Sequence, residues 1–125
     1  MRAQRERDTG IEREIRSRLH ARGLRFRVHR RLLQGSRREV DVVFPGARVA
    51  VFVDGCFWHG CPEHGTWPRN NAEFWRRKIE DNVRRDADTN ARLEADGWTV
   101  VRVWEHESPA EATTRIAAVV DAVRL

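Results

Sequence analysis

Cysteine is scarce in this chain, with two in 125 residues. That excludes a disulfide-stapled secreted scaffold, and in a reducing compartment two cysteines favour metal ligation or free thiols over a disulfide. No apolar run is long enough to span a bilayer, and no segment resembles a signal peptide or a lipidation signal. A soluble cytoplasmic protein with no membrane partner is expected. Internal repeats, low-complexity tracts and linkers are also missing, so residues 1–125 are read as a single domain, with residues 1–8 as a polar N-terminal arm. A chain of this length buries roughly two-thirds of its unfolded surface and needs no staples to fold. Lysine is nearly absent as well: Lys78 is the single one.

What is present in quantity is arginine. Lys and Arg total 24 against 19 Asp and Glu, a formal net charge of +5. The planar guanidinium fork suits phosphate oxygens and base edges, so a nucleic-acid partner is one reading of the charge. An arginine-rich solvated surface is the other.

Periodicity predicts the order α-β-β-β-α-β-α. Thr9 and Glu12 have capping-box spacing, Ile11, Ile15 and Leu19 share a face, and Gly23 closes a helix over about residues 10–22. Residues 25–29, 38–44 and 47–53 are β-branched or aromatic stretches, the last two separated by Pro45-Gly46, and read as a three-stranded meander. A long charged helix follows from Asn71 to Asp96, with Trp75, Ile79, Val83 and Leu93 as its apolar face and Gly97 at its end. Residues 98–104 read as a fourth strand, and Ser108, Pro109 and Glu111 open a last helix. A strand-helix-strand unit makes the third and fourth strands parallel. Their ends then point the same way, and residues just past them meet at one sheet edge.

The segment DGCFWHGCPEHG, residues 54–65, lies just past the third strand. Cys56, Cys61 and His64 are spaced for a metal on a glycine-rich loop, and His106, just past the fourth strand, would complete a tetrahedral Cys2His2 zinc set. Free thiols are the alternative. His59 is left over as a candidate general base, as a polar loop residue, or as a ligand exchanging places with His64. His20 and His29 read as structural.

A second constellation starts at Asp41, an acid inside the apolar stretch EVDVVF. Burying it costs several kcal/mol unless it is paired with an arginine or bound to a cation. The zinc loop leaves the neighbouring strand at the same end, so Asp41 with Mg²⁺ and His59 could face one phosphate, as metal-assisted hydrolysis requires. Asn82 and Asp86 continue the buried edge of the long helix. Asp86 could orient His59, or it could pair within its own helix beside Arg84 and Arg85.

Together TGIERE (9–14), REVDVVF, VFVDGCFWHGCPEHG (51–65), EFWRRKIEDNVRRD (73–86) and GWTVVRVWE (97–105) resemble the very-short-patch-repair (Vsr) mismatch endonuclease family, in order over about residues 8–106. The resemblance implies a restriction-endonuclease-like core in a mixed sheet. It implies a Mg²⁺-dependent enzyme with a structural Zn²⁺, acting as a monomer on double-stranded DNA. Such an enzyme nicks on the 5′ side of the thymine in T·G mismatches left by deamination of 5-methylcytosine. A nucleoid-associated location in a bacterial cytoplasm follows, with mismatch-repair proteins as candidate partners.

By position, the resemblance makes Asp41 the metal-binding carboxylate, His59 the general base and Asp86 its partner, with Glu12 and Asn82 organising water. Glu12 would then not serve as a capping residue. Val53 stands where some members have threonine, and its backbone carbonyl is the implied second Mg²⁺ ligand. Asp54 replaces a histidine, and His106 a cysteine, of some members. Phe57, Trp58 and Trp75 match an aromatic wedge that enters the base stack, where unstacking costs less at a mismatch. Trp75 could equally be core. Relatives usually carry a further stretch ahead of Met1 that grips the minor groove. Either the start codon is misassigned, or affinity is reduced, or Arg2, Arg5 and Arg7 compensate electrostatically. A non-catalytic zinc-stabilised DNA-binding module and a restriction-like nuclease of different specificity are the competing readings.

Overall fold

A computed structural model describes residues 10–55 and 72–124. The elements run α1 (Gly10–Ala21), β1 (Arg27–Arg30), β2 (Val40–Phe44), β3 (Val49–Asp54), α2 (Ala72–Ala95), β4 (Thr99–Trp104) and α3 (Pro109–Arg124). The four strands form one mixed sheet in the order β1-β2-β3-β4. The first three pair antiparallel, and β3 and β4 pair parallel from Val49↔Thr99 to Asp54↔Trp104.

Alternation along β3 explains the layering. Val49, Val51 and Val53 pack with Ile15 and Leu19 of α1 and with Ala112, Ile116 and Val120 of α3. Ala50 and Phe52 face the other way and pack with Leu93 of α2. All six β3 residues are buried, as expected of a strand covered by helices on both sides.

The helix ends follow from local chemistry. The Gly23 and Leu24 N–H groups donate to the His20 and Leu19 carbonyls, and Gly97 and Trp98 donate likewise to Glu94 and Leu93. Both glycines have positive φ, 79° and 91°, the left-handed turn that closes a helix without a Cβ penalty. At the start of α3 the Glu111 N–H donates to Ser108 Oγ at 3.3 Å, with Pro109 as first helical residue.

One helix face differs from the reading of the sequence. Val83 is 44 % exposed. Successive steps of four from Trp75 drift off the helix's inner line, whereas steps of three and four alternately connect Ile79, Asn82, Asp86, Thr89 and Leu93. Ile79, Thr89 and Leu93 are buried, and the polar pair between them is half-buried.

Strand direction brings chemistry to one end of the sheet. Because β2 runs against β3 and β3 runs with β4, the start of β2 lies at the same end of the sheet as the ends of the other two. The Glu105 N–H donates to the Asp54 carbonyl at 2.9 Å, so the chain entering Gly55 and the chain approaching His106 leave the sheet side by side.

Candidate active site

Asp41 is 1 % exposed, and its Oδ2 accepts the backbone N–H of Val53 at 2.7 Å. The last paired residues of β2 and β3 toward this end are Val42 and Val51. Beyond them the Asp41 carboxylate takes the place of a backbone acceptor. Asp54 presents its carbonyl to β4, so the alternating pleat turns the N–H and carbonyl of Val53 toward β2 and Asp41.

Two more groups converge there. Glu12 lies on the same stripe of α1 as Ile15 and Leu19 and is fully buried. Its Oε2 is 3.5 Å from Arg16 Nη1 and 3.7 Å from His29 Nε2. The carboxylate is thus turned into the protein toward β1; Thr9, the other half of the capping box its spacing suggested, lies outside the described residues. The ladder pairs Val28↔Val42 and Arg30↔Val40 bracket His29 and Asp41 and set them opposite one another. One donor atom from each of Glu12, His29 and Asp41 lies within 4.8 Å of the other two.

This donor set fits a divalent cation. Ligands on opposite sides of an ion with bonds of about 2.1 Å stand about 4.2 Å apart, so small side-chain adjustments bring all three onto one ion. Two carboxylates buried this close repel one another, and a cation between them offsets that repulsion. Arg16 supplies part of the compensation on the Glu12 side.

His29 was read as structural, and the structure places it in this cluster instead. Its position opposite Asp41 depends on the pairing register of β1 and β2, which the intervening irregular segment sets and which periodicity does not reveal.

Arg102 is a second residue the sequence reading passed over. It stands in the apolar strand TVVRVW, the same anomaly that singled out Asp41. Its Nη1 donates to both Asp54 carboxylate oxygens, at 3.0 and 3.1 Å, and lies 3.5 Å from Asp86 Oδ1. Its Nε donates to Asn90 Oδ1 at 2.9 Å, and the guanidinium carbon lies 4.1 Å from the centre of the Phe52 ring. One cation thereby joins the end of β3 to the inner face of α2. Asp86 points at β4, while the neighbouring arginines take intrahelical partners, Arg84 with Asp81 and Arg85 with Asn82 Oδ1 at 3.1 Å. Asp86 thus makes a contact between elements, from α2 to β4.

Trp75 is half-buried and meets Phe74 edge-on at 5.1 Å, and Phe74 is 52 % exposed. His106 is exposed, just past β4. A Cβ at Gly55 would lie 3.6 Å from Glu105 Oε1, which puts that carboxylate over the entrance to the cysteine-containing segment. Cys56, Phe57, Trp58, His59, Cys61 and His64, like Arg2 and Arg5, lie outside the described residues. No helix among the described residues is long and apolar enough to cross a membrane.

Comparison with known proteins adds a further line of evidence. A sequence model of the family described as DNA mismatch endonuclease Vsr matches residues 1–64. The type II nicking enzyme V.NaeI of Lentzea aerocolonigenes is 46 % identical over 123 residues, covering 97 % of this chain and 72 % of that protein. The type II nicking enzyme V.XorIIP of Xanthomonas oryzae pv. oryzae is 45 % identical over 105 residues, 82 % of this chain and 74 % of that protein. DNA mismatch endonuclease Vsr of Escherichia coli K12 is 41 % identical over 109 residues, 84 % of this chain and 66 % of that protein.

Proposed function

Since the chain belongs to the Vsr DNA mismatch endonuclease family, we propose that this DNA-nicking hydrolase cuts duplex DNA on the 5′ side of the thymine in T·G mismatches, with Mg²⁺ as its catalytic ion. The observation that carries the chemistry is the buried Glu12–Asp41 pair beside the inward-turned backbone of Val53. Asp41 and the Val53 carbonyl would hold the ion, and Glu12 adds a second carboxylate to the site. A divalent ion there supplies Lewis-acid polarisation of the phosphate and stabilisation of the leaving 3′ oxygen.

The remaining steps belong to side chains. His59 accepts a proton from water as the water oxygen bonds to phosphorus and the bond from phosphorus to the 3′ oxygen breaks. Asp86, paired with Arg102, stabilises the imidazolium, and Asn82 helps order water at the site. The departing 3′ oxygen takes a proton from solvent water, and the products are a 5′-phosphate and a 3′-hydroxyl. Cys56, Cys61, His64 and His106 are assigned to a structural zinc, which the adjacent departure of the chain from β3 and β4 supports. Phe57, Trp58 and Trp75 are assigned to the base stack, and Arg2 and Arg5 to the phosphate backbone. The core is taken as restriction-endonuclease-like and the enzyme as a monomer.

The test is a nicking assay on labelled T·G and matched T·A duplexes with Mg²⁺, using the native chain and Asp41→Ala. Nicking confined to the T·G duplex and lost in the variant is expected. Equal cutting of both duplexes would identify a nuclease of different specificity, and binding without cutting would identify a non-catalytic DNA-binding module.

A further inference from the structure

We infer that His29 is a direct donor to the active-site cation, and that its imidazole shifts the site's preference from Mg²⁺ toward Mn²⁺. The inference rests on the cation site proposed above and extends it to the choice of ion.

Three observations converge on His29. The register sets it opposite Asp41, and its side chain is 12 % exposed. Its Nε2 stands 3.7 Å from Glu12 Oε2, too long for a hydrogen bond but suited to two donors sharing one ion. Its backbone adopts φ 52°, a left-handed conformation that a histidine inside a strand enters at a cost of about 1 kcal/mol or more. With that backbone the imidazole reaches the carboxylate pair.

A nitrogen donor changes which ion fits. Mg²⁺ demands near-ideal octahedral oxygen coordination and gives up water reluctantly. Transition ions accept imidazole readily, and Mn²⁺ also suits carboxylate and carbonyl oxygens. Two carboxylates, one carbonyl and one imidazole therefore make a mixed set on which Mn²⁺ gains from His29 and Mg²⁺ gains little.

Pulsed electron paramagnetic resonance of Mn²⁺ added to the intact, zinc-supplemented protein reads coordinated imidazole directly, as nitrogen coupling to the metal. The native protein should show that coupling. His29→Gln should remove it and weaken Mn²⁺ binding about tenfold or more, while Mg²⁺ affinity measured by competition changes less than about threefold. His59→Ala should retain the coupling, and Asp41→Asn should abolish tight binding of both ions. Absence of coupling in the native protein overturns the role of His29 without any variant. So does its persistence in His29→Gln or its loss in His59→Ala. Tight Mn²⁺ binding that survives Asp41→Asn instead overturns the cation site itself, so the two failures are distinct.

Discussion

The backbone N–H of Val53 donates to Asp41 Oδ2 at 2.7 Å, and through this bond the acid of β2 closes the ladder that β3 leaves open. Asp41 therefore has a duty to the fold that is separable from the cation binding proposed for it. Substitutions can part them.

Asp41→Asn keeps an amide oxygen for the Val53 N–H and removes one of two neighbouring buried carboxylates. Nicking should fall at least about 100-fold, because the proposed ion is worth several kcal/mol to the transition state. Without Mg²⁺ or Mn²⁺ its melting temperature should equal or exceed that of the native protein. Asp41→Ala leaves the Val53 N–H without its acceptor and should be less stable than Asp41→Asn by about 1–3 kcal/mol. Thermal melts of the three zinc-loaded proteins in buffer free of Mg²⁺ and Mn²⁺ decide this, and the opposite ranking would remove the structural duty.

Divalent ions should stabilise the folded chain by mass action. At a hundred times the dissociation constant the gain is about 2.7 kcal/mol. The rise in melting temperature should saturate with Mg²⁺ in the native protein and vanish in Asp41→Asn. Equal rises in both would place the binding elsewhere.

Arg102 answers a nearly buried carboxylate on Asp54. Arg102→Met withdraws two charge-assisted hydrogen bonds from that carboxylate and should cost about 3 kcal/mol. Combining it with Asp54→Asn should recover much of the loss. A double-mutant cycle in denaturant measures the coupling, and strictly additive effects would contradict the pairing seen here.

Along α2, Ile79→Ala should cost about 2–4 kcal/mol, whereas Val83→Ala should stay within about 0.5 kcal/mol. Chemical denaturation distinguishes the inner line of the helix from the one that fourfold steps suggest.

Purified protein should carry one zinc per chain by elemental analysis. Cys61→Ser should reduce that content and lower thermal stability, since a structural metal contributes folding free energy. Stoichiometric zinc in Cys61→Ser would remove that residue from the ligand set.

The sequence was most legible where structure is local. Gly23 and Gly97 mark helix ends because their left-handed backbones close the last turns, and Ser108-Pro109 marks a beginning because it satisfies an orphan N–H. Asp41 was visible because an acid in an apolar strand demands a partner. Arg102 carries the same signature in the apolar strand TVVRVW and calls for carboxylate partners, which the structure supplies as Asp54 and Asp86. His29 was not legible by any such rule. Its place beside Asp41 is a matter of register across a connection with little regular structure, and sequence spacing does not encode that. Val83 misled because four-residue spacing approximates a helical turn over one step and fails over two.

The end of β3 is clamped from both flanks: Val53 to Asp41 on one side, Asp54 to Arg102 and to the Glu105 N–H on the other. The segment that begins at Cys56 is therefore launched from a fixed platform one residue upstream, at Gly55. A change at Asp41 or Arg102 would tilt that platform, so errors of aim beyond Gly55 can originate in the strands that flank the end of β3.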